Sequence, residues 1–162
     1  MKSQHLDNLT EDSLFTRMSS GVIRVGLVAL IAAVFGVCVP GCKDAKDYYN
    51  QGDAYFKKGE TDRAIAAFTK AIEKNPRFVN AYYYRGMAYH RKKDRDQAIT
   101  DYTKAIEINP QFAVVYAERA LIYLIKKEYD KAWEDVHKAE ALGQEIRSGF
   151  REALQKASGR KK

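Results

Sequence analysis

The chain has 162 residues, of which 30% are charged, and a formal net charge of +7 at pH 7. Its two cysteines, Cys38 and Cys42, lie four residues apart at the end of an apolar segment. That spacing and setting exclude a disulfide framework or a zinc site as the basis of the fold. Almost all of the positive charge lies in the part of the chain that follows Cys42.

The first 42 residues are predicted to form a leader segment. Residues 1–20 are polar, and residues 25–39 are an uninterrupted apolar run preceded by Arg24. The run is shorter than the about 20 apolar residues that cross a bilayer, but it fits the apolar part of a secretory signal. The order Val39-Pro40-Gly41-Cys42 that follows resembles the lipobox of bacterial lipoproteins. This resemblance implies that Cys42 becomes the lipidated first residue of the mature protein.

Two alternatives stay open for this leader. Translation starts either at Met1 or at Met18, which would give a more compact signal. An uncleaved signal anchor, with Arg17 and Arg24 on the cytoplasmic side, is the alternative to lipidation. Both alternatives place the rest of the chain in the bacterial cell envelope, tethered to a membrane. Lys43 after the cysteine implies, by the same resemblance, the outer membrane of a two-membrane cell, whereas the anchor implies the inner membrane.

From residue 45 onward the sequence repeats itself every 34 residues. Seven positions carry the pattern in three copies, and their occupants are Tyr48, Gly52, Tyr55, Ala64, Phe68, Ala71 and Pro76, then Tyr82, Gly86, Tyr89, Ala98, Tyr102, Ala105 and Pro110, then Tyr116, Ala120, Tyr123, Ala132, Val136, Ala139 and Gln144. A fixed period of this length indicates stacked supersecondary units.

Each copy predicts a helical hairpin. Tyr48, Gly52 and Tyr55 share one face of a first helix, and Ala64, Phe68 and Ala71 share one face of a second. Residues 58–62 form a polar turn between the two helices, and the proline of Asn75-Pro76 ends the second one. The three hairpins are expected at residues 45–78, 79–112 and 113–146.

A capping helix is predicted at residues 144–157. Ile146, Phe150 and Leu154 lie on one face of it, and charged residues occupy the other. Such a helix is expected to cover the open end of the stack. Deleting residues 143–162 should therefore leave an aggregating or partly unfolded chain. Residues 158–162 form a basic tail with no apolar side chain.

These repeated residues resemble the tetratricopeptide repeat family, whose pattern is W-x2-L-G-x2-Y, then A-x3-F, then P. Tyr48 and Tyr82 stand at the Trp position, and Gln51 and Arg85 stand at the Leu position. The third copy lacks the Gly and the Pro. The resemblance implies an all-α, right-handed solenoid of three helix-turn-helix hairpins plus a C-terminal capping helix over residues 45–157. With the leader, it implies a bacterial lipoprotein of this family.

Motifs for catalysis are missing from the sequence. His5, His90 and His137 have no metal-ligating partner at a useful spacing. No Ser or Cys stands in a nucleophile motif, and no Gly-rich phosphate loop occurs. The sequence therefore predicts a protein that is not an enzyme and that uses no cofactor and no metal.

By the family resemblance, the first helix of each hairpin lines a concave groove that binds a protein or peptide partner. The residues predicted to line this groove are Tyr49, Asn50, Asp53, Phe56, Asn80, Tyr83, Tyr84, Met87, His90 and Leu121. Large aromatic and thioether side chains suit a binding surface. The alternative is that the tyrosines only pack on one another. Replacing Tyr49 and Tyr83 together by alanine is expected to abolish partner capture while helical content stays intact.

Some members of the family grip the terminal carboxylate of a partner with Lys, Asn and Arg side chains. The matching positions of this chain hold Tyr49, Asp53, Tyr84, Val114 and Glu118. Because none of these is basic, recognition of an acidic chain end at this place is not expected.

A basic ridge is the second candidate site. It consists of residues at the turns within the hairpins, namely Lys57, Lys58, Arg91, Lys92, Lys93, Lys126 and Lys127. Such a ridge could meet anionic lipid or another polyanion, and the envelope location disfavours nucleic acid. The main prediction is a membrane-tethered adaptor that binds a protein partner. The alternatives are this ridge, or a homo-oligomer in which repeats stack between chains.

Overall fold

A computed structural model describes residues 43–159. These residues form seven α-helices and no strand, with bounds α1 Ala45–Lys57, α2 Thr61–Lys74, α3 Val79–Arg91, α4 Arg95–Ile108, α5 Ala113–Ile125, α6 Tyr129–Ala141 and α7 Ser148–Ser158. The predicted all-α fold of three hairpins and a final helix is therefore confirmed. The predicted leader with Cys42, and residues 160–162, lie outside the described residues.

Local signals in the sequence account for the helix ends. Asp44 and Asp47 form a reciprocal capping box at the start of α1, in which each backbone N–H donates to the carboxylate of the other residue. The turn after α1 contains Gly59 with a φ of 81°, and its equivalents Lys93 and Lys127 take the same left-handed conformation. α2 ends at Lys74, immediately before the predicted Asn75-Pro76 stop.

The helices pack in chain order. α1 packs on α2, α3 on α4 and α5 on α6, and each second helix also packs on the first helix of the next hairpin. One hydrophobic cluster joins the second and third hairpins through Tyr82, Tyr102, Val115 and Ile122. This order places α1, α3 and α5 side by side, so that residues at equivalent positions of these helices share one face of the stack.

The repeated glycine is where the two helices of a hairpin come closest. A Cβ atom added to Gly86 would lie 2.6 Å from Cε1 of Tyr102, and one added to Gly52 would lie 2.6 Å from Cδ1 of Phe68. In the third hairpin Ala120 replaces the glycine, and the smaller Val136 replaces the aromatic residue in the same core cluster. Each hairpin therefore pairs a small residue with a side chain of complementary size.

We expect Gly86→Ala to lower the free energy of unfolding by about 1–3 kcal/mol, because the added methyl group must displace the buried Tyr102 ring. Gly149→Ala is the matched control. Nothing lies within 4 Å of the Cβ added there, so the better helix former should stabilise α7 by about 0.5–1 kcal/mol. Urea denaturation followed by circular dichroism measures both changes. Equal midpoints for the two variants would contradict this account of the close approach.

The capping helix begins at Ser148, so the predicted start at Gln144 is wrong. Gly143 adopts a left-handed conformation with φ 83° after α6, and residues 144–147 continue as a non-helical segment. Ile146 nevertheless packs against the terminal core from this segment. Because Ile146 packs against the core from outside the helix, its apolar side chain extends the helical pattern of the sequence beyond the true start of α7.

α7 continues the 34-residue register of the first helices. Phe150 stands at the position of Tyr48, Tyr82 and Tyr116, and Leu154 stands at the position of the repeated glycine. Leu154 is fully buried, in one cluster with Ala120, Trp133 and Val136. α7 is the last helix of the described part, so this position faces no following second helix and accommodates a large side chain.

Candidate functional site

Aromatic side chains form a continuous seam along the first helices of the hairpins. Tyr84 lies at its centre, with ring centroids 5.1 Å from Tyr83, 5.7 Å from Tyr49 and 6.4 Å from Phe56. All four residues belong to the predicted groove set, which we call the groove face. The structure therefore brings residues of two hairpins together into one aromatic surface.

Two further aromatic residues support the seam from the helix starts. Phe78 is the N-cap residue of α3, and its ring centroid lies 5.1 Å from that of Tyr49. Phe112 is the N-cap residue of α5, and its ring centroid lies 5.3 Å from that of Tyr83. These two residues are 34 positions apart, so the period would have found them, but the groove prediction omitted them. As a result Tyr49 and Tyr83 are half-buried rather than freely exposed.

Burial changes the chemistry of these two tyrosines. Burial raises the pKa of Tyr49 to about 12, with a further contribution from Tyr84. Burial also raises the pKa of Tyr83 to about 12, helped by the negative charge of Glu118. Both side chains are therefore neutral hydrogen-bonding groups at physiological pH. Because they also pack on other rings, replacing both by alanine would remove packing as well as binding surface.

The remaining predicted groove residues occupy different settings. Asn50 and Asn80 are exposed and line a cleft of about 740 Å³ beside Tyr49 and Phe78. Asp53 accepts a hydrogen bond from Lys57 at 2.7 Å. Met87, His90 and Leu121 are half-exposed on the same face.

Several cations of the predicted basic ridge are already paired within the described part. Lys57 and Lys92 form ion pairs with Asp53 and Asp62, at 2.7 Å and 2.6 Å. Lys126 pairs with Asp96 and with Glu128. The guanidinium of Arg91 lies 4.1 Å from the centroid of the Phe56 ring and donates to the Phe56 carbonyl oxygen.

These exposed pairs contribute little stability. They nevertheless reduce the positive charge that the ridge offers to a polyanion. Polyanion binding at the ridge stays a prediction.

Comparison with known proteins decides the family. Family models described as tetratricopeptide repeat match residues 49–113 and 101–134. The TPR2B domain of yeast Sti1, solved in complex with an Hsp70 peptide, is 30% identical with a TM-score of 0.63, over 72% of this chain and 98% of that chain. The chain belongs to the tetratricopeptide repeat family.

Two other solved structures are similar to the described part of the chain. The first TPR domain of Spaghetti (RPAP3), bound to the HSP90 peptide SRMEEVD, is 26% identical with a TM-score of 0.66, over 72% of this chain and 91% of that chain. MamA is 35% identical with a TM-score of 0.61, over 62% of this chain, and the match spans 58% of the length of MamA. No curated protein matches the chain significantly.

Buried ion pairs connect successive tetratricopeptide repeats, and the sequence analysis missed them. Arg85 on α3 donates from Nε and Nη2 to the two carboxylate oxygens of Asp101 on α4, at 2.8 Å and 2.7 Å. Its third nitrogen, Nη1, donates to Oγ1 of Thr69 on α2 at 3.0 Å. One guanidinium therefore connects three helices of two repeats. Burial raises the pKa of Asp101, and Arg85 opposes that rise.

The same arrangement recurs one repeat later. Arg119 donates to both carboxylate oxygens of Asp135 at 2.8 Å and to Oγ1 of Thr103 at 2.8 Å. The first repeat carries Gln51 and Ala67 at the equivalent positions. The buried Arg–Asp ion pair is thus absent from the first repeat and present in the second and third, each of which packs on the repeat before it.

The buried hydroxyl of Tyr102 has no hydrogen-bond partner among residues 43–159. Its ring fills the position held by Phe68 in the first repeat. Tyr102→Phe should raise the free energy of unfolding by about 1 kcal/mol, because it removes an unsatisfied buried polar group without changing the ring. Phe68→Tyr is the reciprocal control and should destabilise. Thermal unfolding checks both, and a Tyr102→Phe variant less stable than the native chain would contradict the assignment.

Metal and membrane sites were also sought within the described part. Over residues 43–159 no group of three or more His, Cys, Asp or Glu side chains is placed to hold a metal ion. No helix in the same range is both long and apolar enough to cross a bilayer. The groove face, with its aromatic seam and adjoining cleft, is the leading candidate site of the described residues.

Proposed function

We propose that this chain is a membrane-tethered adaptor that binds a segment of a protein partner along the groove face. The observation that carries the proposal is the aromatic seam around Tyr84, which has a cleft at the starts of α1 and α3. Tyrosine side chains offer a large apolar area and a polar tip at low entropic cost, which suits them to binding surfaces. The chain would act by binding rather than by catalysis.

The solved relatives support a peptide as the kind of ligand. The Sti1 domain and the first TPR domain of RPAP3 are both complexes with peptides. The described repeats of this chain cover nearly the whole length of those two domains. A peptide-sized segment is therefore the form of partner that we assign to the groove face.

The proposed tether is a lipid on Cys42, and the uncleaved signal anchor is its alternative. Only Lys43 and Asp44 separate Cys42 from Ala45, the first residue of α1, a span of about 10 Å when extended. A lipidated chain would hold the repeats close to the membrane surface of the cell envelope.

Intact mass and membrane fractionation of the chain and of Cys42→Ala in a bacterial host test the tether. A diacylated mature chain that starts at Cys42, and is lost in the variant, is expected. An unprocessed chain in both would contradict lipidation.

Photo-crosslinking tests the binding site. A photo-reactive residue is placed at Asn50 or Asn80 on the groove face, or at Glu73 or Glu107 on second helices as controls. All four positions are exposed, so the substitutions leave the core intact. We expect crosslinks to one partner protein from Asn50 and Asn80 but not from the controls.

Two results of this experiment would contradict the proposal. The first is crosslinking to the partner from Glu73 and Glu107 alone. The second is crosslinking from the groove face only to a second copy of the chain, which would favour the homo-oligomer.

A further inference from the structure

A second cleft lies at the other end of the groove face, between α5 and the segment that leads into α7. It has a volume of about 810 Å³. Its apolar walls come from both sides of the cleft and consist of Val114, Ala117, Leu121, Ile146 and Phe150. α7 is thus more than a cap for the core, because the segment before it forms one wall of this cleft.

The charge of this cleft is negative. Glu118 and Glu145 both line it, and of the described residues that line it Arg147 alone is cationic. No Lys, Arg or His nitrogen of residues 43–159 lies within 4.0 Å of the Glu118 carboxylate, in contrast to Asp53, which is paired with Lys57. Glu118 occupies the position that Asn50 and Tyr84 hold in the first two repeats. The third repeat therefore places an unpaired carboxylate on the groove face.

The surroundings of Glu118 strengthen its interaction with a cation. Glu118 lines the cleft together with Val114, Ala117 and Leu121 of the same helix, so its carboxylate lies beside apolar surface. An ion pair beside such apolar surface is screened less than one in open solvent.

We propose that this cleft receives a lysine or arginine side chain of the partner segment, with its cationic end at Glu118 and apolar neighbours on Leu121 and Phe150. The cleft combines apolar walls with a carboxylate, and the methylene stem and charged end of these two residues match that combination. The inference rests on the proposed function, because it names the chemistry of the segment that the groove face would bind.

The negative charge of this cleft would repel an acidic ligand. The peptide in the RPAP3 complex, SRMEEVD, contains three acidic residues and one arginine. An acidic segment of that kind would meet the carboxylates of Glu118 and Glu145 in this chain. A partner of the present chain is therefore a basic and apolar segment.

Selection from a phage-displayed library of random twelve-residue peptides tests the inference. The full chain, held in a mild detergent, is the target, and selected peptides are synthesised with the basic residue intact or replaced by glutamine. We expect the selected peptides to share a Lys or Arg flanked by apolar residues. Loss of that charge should weaken binding about tenfold, since a hydrogen bond to a charged group contributes more than a neutral one.

Matched variants locate the contact. Glu118→Gln should weaken the basic peptide about tenfold and leave its glutamine version unchanged. Glu73→Gln makes the same change at an exposed position of α2 and should have no effect. Equal affinity of the basic peptide for the Glu118→Gln variant and the native chain would overturn the inference.

The outcomes also separate this inference from the proposed function. Selected peptides that are acidic or uncharged, and whose crosslinks map to Asn50 and Asn80, would overturn the basic-residue inference and leave the groove as a binding site. Failure to select any peptide, together with no partner crosslinks from the groove face, would overturn both.

Discussion

Replacing Asp101 by alanine is expected to lower the free energy of unfolding by about 3–5 kcal/mol, since a buried charge loses its partner. The Asp101 side chain is 5% exposed and that of Arg85 is 16% exposed. After the substitution, two guanidinium nitrogens of Arg85 would face the interior without an acceptor. The contact to Thr69 would persist, so the expected loss is concentrated at α3 and α4. Urea denaturation of the purified chain measures it.

A double variant separates the cost of an orphaned charge from the value of the ion pair. Arg85→Gln combined with Asp101→Ala reproduces the Gln51 and Ala67 pair of the first repeat. Because the double variant buries no unpaired charge, it should recover more than half of the stability lost by Asp101→Ala. A double variant as unstable as the single one would show that the ion pair itself holds the repeats together.

Replacing Leu154 by alanine is expected to cost about 2–5 kcal/mol, because it leaves a cavity in a fully buried position. The third repeat should lose the most stability, because Leu154 packs there with Ala120, Trp133 and Val136. Trp133 fluorescence during urea denaturation reports on this region directly, since this residue is the one tryptophan of the chain.

Glu152→Ala is the control for this prediction. Glu152 lies on the exposed side of the same helix, so its replacement should change stability by about 0.5 kcal/mol or less. If Leu154→Ala were as mild as this control, α7 would not be needed to close the stack. Deletion of residues 143–162 would then leave the rest folded, against the expectation from the sequence.

The repeat period made the fold predictable, because each copy carries the same small and large residues at the contacts between helices. The period placed Gly52 and Gly86 at equivalent positions of two first helices, and the Asn75-Pro76 stop indicated the end of α2. The start of α7 was wrong because apolar spacing alone does not distinguish Ile146 in a packed non-helical segment from Ile146 in a helix. Gly143 was the local signal against a continuous helix.

The sequence could predict which residues share the groove face but not how deeply they are buried. Helical spacing puts Tyr49 and Tyr83 on one face of the stack, whereas their burial depends on Phe78 and Phe112, which approach from the start of the next helix. Spacing within a helix contains no information about such neighbours.

The ion pairs were missed for a different reason. Arg85 stands at the Leu position of the family pattern, and the pattern itself predicts no charged partner for that position. The recurrence of Arg, Asp and Thr at three positions, each 34 residues apart, was the available signal.

Hydrogen exchange of the full chain, with and without the partner captured by crosslinking, tests the central claim most directly. The account predicts slower amide exchange in α1, α3 and α5 on binding, with the largest change around Tyr49, Tyr84 and Glu118. Exchange in α2 and α4 should stay unchanged. Protection confined to the second helices or to the basic ridge would contradict binding at the groove face.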